Sequence, residues 1–154
     1  MSSVVLTVFS ISMIVFQFSC KKEATAQPTN TLTKEQILVA KTWKVAQLHH
    51  VISDTYSTYT NGGVNTTGIN YDNSRYTFNS DGTGTHIDPS GNSHTMTWQF
   101  TTSDKRTLQI TLDNGSSNIW EMLQIADNYL NGSSQITISG DSNNIETFQL
   151  IQIP

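Results

Sequence analysis

The side chains able to do chemistry in this chain of 154 residues are few, and their spacing narrows what they can do. One cysteine, Cys20, and four histidines, His49, His50, His86 and His94, are the soft and imidazole ligands. His49 and His50 are adjacent in a stretch that alternates like a strand, so they point to opposite faces and do not chelate one ion together. His86 and His94 flank a Pro89–Asn92 turn. They share a face if directly opposed, and a shift of one residue in register separates them. No Cys, carboxylate pair or third His stands at ligand spacing, so the four read as exposed strand histidines and no metal site is expected. Nucleophilic catalysis needs a nucleophile, a base and an orienting group together. Serines abound, yet none sits in a G-x-S-x-G elbow. Asp54, Asp72, Asp81, Asp88, Asp104, Asp113, Asp127 and Asp141 all fall in or beside turn segments, where a carboxylate bonds the local backbone. Asn79–Gly84 lacks the opening acid and the closing Glu of a calcium loop. The expectation is a protein without catalysis, metal or cofactor.

Cys20 differs in kind. Val4–Phe18 is an uncharged, mostly apolar run of about 15 residues, short of the roughly 20 that span a bilayer and suited to the core of an export signal. It ends at Phe18-Ser19-Cys20, with Lys21-Lys22-Glu23 after it. A small residue directly before a sole cysteine, at the end of an apolar run, resembles the lipobox of bacterial lipoproteins. The resemblance implies cleavage between Ser19 and Cys20, diacylglycerol on the Cys20 thiol, and a further acyl group such as palmitate on the new amino terminus. Two or three acyl chains are enough for stable anchoring. Residues 1–19 are then a signal peptide, and 20–32 the lipidated cysteine and a tether, whose Glu23–Thr31 stretch (EATAQPTNT) is small, polar and flexible. Residues 33–154 form one domain, in the cell envelope and facing the periplasm or the surface of the outer membrane. With a single cysteine no disulfide supports that domain, so its stability depends on its core.

Composition agrees with a β domain. Charged residues are 13% and hydrophobic residues 36%, with Thr, Ser and Asn filling the difference, a balance that favours strands and turns. The net charge of −4 and the absence of a basic cluster beyond Lys21-Lys22 exclude nucleic acid as an expected partner. Thr33-Lys34-Glu35-Gln36 matches a capping box and predicts a short helix over Lys34–Lys41. From Trp43 the apolar period becomes two. Strands are expected at 43–53, 75–78, 83–88, 94–101, 108–112, 117–126, 129–139 and 145–153, with 57–68 left as a polar, glycine-containing loop. About eight strands joined mainly by hairpins indicate a sandwich or an up-and-down barrel.

The short helix, a strand opening on Trp43, and the Phe78-Asn79-Ser80-Asp81-Gly82-Thr83-Gly84 hairpin together resemble the lipocalin-like lipoproteins of bacterial envelopes. That resemblance covers most of residues 33–153 and implies an all-β fold, a small antiparallel up-and-down barrel of eight strands after a short N-terminal helix. It also implies an interior that holds one small apolar ligand. Trp43, Tyr76, Phe78, Met96, Trp98, Phe100, Trp120 and Phe148 are the candidate interior or ligand-lining residues. Tyr56 and Tyr59 are candidates for a loop at the barrel mouth. From the residues alone those aromatics read first as a solid core, with a cavity lining as the alternative, and the alternative function is a surface module that binds protein or glycan through loops, a hydrolase inhibitor included. A monomer is expected.

Overall fold

The structure, a computed structural model, describes residues 31–138 and 141–153. The export segment, Cys20 and most of the tether lie outside the described residues.

The chain opens with α1 (Lys34–Val39), capped as its sequence demands. Gln36 N donates to Thr33 Oγ1 at 3.2 Å, and Thr33 N donates to Gln36 Oε1 at 2.8 Å. One apolar side, Ile37 and Leu38, is buried. A helix this short leaves its last carbonyls without partners. The Trp43 indole supplies one, its Nε1 donating to Leu38 O at 2.8 Å. Among the described residues no helix is long and apolar enough to cross a membrane.

Among the described residues nine strands follow: β1 (Thr42–Ile52), β2 (Thr55–Thr60), β3 (Arg75–Phe78), β4 (Thr83–Ile87), β5 (Ser93–Phe100), β6 (Leu108–Leu112), β7 (Ser117–Ala126), β8 (Tyr129–Ile138) and β9 (Asp141–Ile153). From β3 to β9 each pairs antiparallel with the next, and β9 pairs back onto β1. Closure removes the open edges that an exposed sheet would carry. The ninth strand does not enlarge the ring. β2 pairs with Gln47–Ile52 and β3 with Thr42–Lys44, both along the same edge of β1. They are two halves of one position, split by the segment 61–74, and the barrel has eight positions as the sequence suggests.

The polar loop expected at 57–68 is partly wrong, because Thr55–Thr60 is β2. Ser53 and Asp54 both take positive φ, 46° and 62°, the conformation of a two-residue hairpin turn. The β-favouring Tyr and Thr residues after it return along β1. Their polarity hid the strand.

The interior is filled at the α1 end. Leu38, Trp43, Phe78, Leu108, Leu123, Leu130 and Leu150 are fully buried there and along the axis. Lys34 Nζ donates to Asp104 O at 2.7 Å, and Lys105 pairs with Glu35 at 2.6 Å, tying α1 over the β5–β6 connection. The opposite end is built differently. β4 and β5 stop at Ile87 and Ser93, level with Arg75 and Lys44. β1 runs on beside β9 to Val51, opposite Ile145. The wall missing on that side is replaced by the 61–74 segment.

Candidate ligand site beneath the 61–74 segment

A bulge between Val45 and Gln47 resets the parity of β1, because one extra residue turns the following side chains over. Val45, Leu48 and His50 therefore all face inward and are buried, and His49 does not. On β9 the side chains of Glu146, Phe148 and Leu150 stand opposite His50, Leu48 and Val45. Tyr76 of β3 is opposed to His86 of β4, their rings stacked with centroids 4.4 Å apart. These groups other than His50, together with Trp120 of β7, line a cavity of about 100 Å³, and His50 stands behind its wall against Glu146. Val45, Leu48, Trp120, Phe148 and Leu150 supply its apolar lining, and Tyr71, Ser74 and Pro89 line it from the connecting segments. Among the described residues lining it, Glu146 is the one acid, and there is no Lys or Arg.

The polar side of the cavity is organised around Glu146. His50 Nε2 and Glu146 Oε2 are 2.7 Å apart, and His50 is only 7% exposed. Tyr71 presents an edge to His50 at 6.4 Å and packs on Tyr59 at 5.3 Å. Burial first, and the Glu146 charge second, push the Tyr71 phenol up to about 12. The same two causes, with Tyr71 added, push the Tyr76 phenol up further. Burial and the neighbouring His94 lower the pKa of His86, holding its imidazole neutral. Among the described residues His86 Nδ1 is buried without a hydrogen-bond partner, a cost that most buried polar atoms avoid.

The 61–74 segment is held by Asp72. Its Oδ1 accepts from Tyr59 Oη and from Asn61 Nδ2, both at 2.6 Å. Its carbonyl accepts from Arg75 Nη1 at 2.7 Å. These bonds pin the 61–74 segment to β2 on one side and β3 on the other.

All eight candidate interior residues lie in the core or pack against it, and they divide into two groups. Tyr76, Trp120 and Phe148 line the cavity. Trp43, Phe78, Met96, Trp98 and Phe100 fill the barrel as core. Phe78 meets Trp98 edge-on at 5.6 Å, and Trp98 meets Phe100 at 5.9 Å. The mouth-loop expectation is corrected for both tyrosines, since both are on β2. Tyr56 is exposed on the outer face, its hydroxyl 2.8 Å from His49 Nδ1. Tyr59 is only 2% exposed and serves as the post to which Asp72 is bonded.

The histidines are corrected too, since they are not simply exposed. His50 is buried, and His86 and His94 are directly opposed, so their rings share the interior face at 6.2 Å. His94 lies between carboxylates, 3.4 Å from Asp88 and 3.4 Å from Asp113. Tyr71 and Glu146 are the site residues that sequence reasoning passed over, and His50 and His86 are the ones it read as exposed strand histidines. One signal was available: Glu146 keeps the two-residue alternation with Phe148 and Leu150, which places a carboxylate on an inward face. No protein-family model matches the chain, and no curated protein matches it in sequence.

Proposed function

We propose that this chain is a lipid-anchored protein of the bacterial cell envelope, its lipocalin-like barrel holding one small, largely apolar ligand beneath the 61–74 segment. The observation that supports this is the cavity itself, mostly apolar and lined in part by Tyr71 of the 61–74 segment. Pockets for drug-sized ligands run to several hundred Å³. At about 100 Å³ this one suits a ligand no larger than a single ring or a short branched chain, or else about three waters. Native mass spectrometry of the chain taken from its own membranes tests the reading. A bound small molecule is expected on the natural chain and not on Leu48→Trp, which fills the cavity; its absence from both would overturn the proposal. The anchor has its own test: Cys20→Ala should move the protein to the soluble fraction, and unchanged fractionation would remove that part.

A second reading, a surface module for protein or glycan, rests on a different observation. Tyr56, Val51 and Ile145 are cross-strand neighbours on the outer face, exposed at 63%, 42% and 46%. Contiguous exposed apolar side chains mark contact surfaces. Tyr56→Ser with Val51→Thr would abolish capture of such a partner and leave the cavity ligand in place.

A further inference from the structure

We propose that the ligand is a small organic ammonium ion, its nitrogen directed at Glu146 and its carbon body held against Tyr76, Trp120 and Phe148. This rests on reading the cavity as a ligand site and supplies the chemical class of the ligand. Glu146 Oε2 is engaged by His50 Nε2 at 2.7 Å, whereas Oε1 makes no hydrogen bond to a described residue. The Glu146 side chain is 23% exposed and lines the cavity. The partly exposed side chain can be hydrated in the empty cavity, and a ligand that covers Oε1 without offering a donor leaves it desolvated at a cost. A primary ammonium carries three N–H donors and a full positive charge, and charge-assisted bonds are roughly twice as strong as neutral ones.

The walls point the same way. Trp120 lies 5.0 Å from Tyr76 and 4.6 Å from Phe148, centroid to centroid, in a connected aromatic lining. Aromatic faces attract cations, most of all in desolvated sites. No Lys or Arg among the described lining residues supplies a competing positive charge. The field of Glu146 is felt across the cavity, where it opposes ionisation of both Tyr71 and Tyr76. A field that disfavours a phenolate favours a cation. An anionic ligand meets repulsion here, and a purely apolar one leaves Oε1 desolvated. The volume limits the body to a handful of heavy atoms.

The test compares three water-soluble probes of one size, butylammonium chloride, 1-butanol and sodium butyrate, on the full lipidated chain in non-ionic micelles. Binding is read by methyl NMR at Val45, Leu48 and Leu150. Butylammonium is expected to bind at least about tenfold more tightly than butanol, with butyrate undetected. Glu146→Gln should weaken butylammonium about tenfold and change butanol less than about threefold. If butanol binds as well as butylammonium, the cavity takes ligands but the ammonium assignment fails. If none of the three shifts these methyls, the ammonium assignment and the ligand-site reading fail together, leaving a water-filled hollow. The probe comparison on the natural chain decides the matter even if Glu146→Gln does not fold.

Discussion

Replacing Gly84 with alanine tests how closely the barrel wall approaches itself between β3 and β4. A Cβ at this position would stand 2.4 Å from the Thr77 carbonyl oxygen, 2.6 Å from Met96 Cε and 3.3 Å from Met96 Cγ. The Met96 terminus is flexible and can turn aside. The carbonyl cannot, because Thr77 belongs to the ladder and pairs with Thr85. Relief requires the two strands to part by about 1 Å, weakening about two ladder bonds at roughly 1 kcal/mol each. Overpacking of the Met96 side adds about 1–2 kcal/mol within the usual range, for a total of about 3–4 kcal/mol. Gly91 is the control. It has φ +90° with nothing within 4 Å of an added Cβ, so alanine there meets backbone strain alone, about 1–2 kcal/mol. Urea unfolding followed by far-UV circular dichroism gives both values from midpoint and slope. A Gly84→Ala loss below about 0.5 kcal/mol, or smaller than that of Gly91→Ala, would refute the close approach.

Three further outcomes follow from the same geometry. Trp43→Phe removes the donor to the Leu38 carbonyl and some packing, and should cost about 2–4 kcal/mol in the same unfolding assay. The His86 pKa is lowered from 6.5 in the folded protein, first by burial and then by His94. The unfolded chain therefore binds the proton more readily, and this contribution to stability falls as pH drops below 6.5 toward the folded value. His86→Phe should flatten the urea midpoint over that window, and a profile as steep as that of the natural chain would contradict it. The Tyr71 phenol should titrate near 12 by ultraviolet absorbance, with Glu146→Gln lowering it and burial keeping it above 10.0; an unchanged value would mean that Glu146 does not act across the cavity.

Much of the barrel was legible because its signals are local. Met96, Trp98 and Phe100 alternate with polar residues and do face the core; Asn79–Gly82 turns where its residue types say; Thr33 and Gln36 cap the helix as their spacing predicts. The site was less legible because it depends on register between distant segments. His50 meets Glu146 only through the β1–β9 pairing that closes the ring, 96 residues apart in the chain. The bulge after Val45 decides that His50, not His49, turns inward, and nothing in the TWKVAQLHHVI stretch announces a bulge. Tyr59 read as a loop residue because its neighbours are Thr, Ser and Asn, yet its ring is buried and its hydroxyl bonded to Asp72. His86 and His94 were a conditional pair, and the Pro89–Asn92 turn fixed the condition by setting them directly opposite.

The barrel is solid at the α1 end and hollow beneath the 61–74 segment. Xenon enters apolar hollows and not close-packed core, so methyl NMR under xenon pressure tests this directly. Saturable shifts are predicted at Val45, Leu48 and Leu150, which line the cavity, with none at Leu38 and Leu108, which are fully buried at the other end. Equal responses at both ends, or no saturable shift at the cavity methyls, would contradict it.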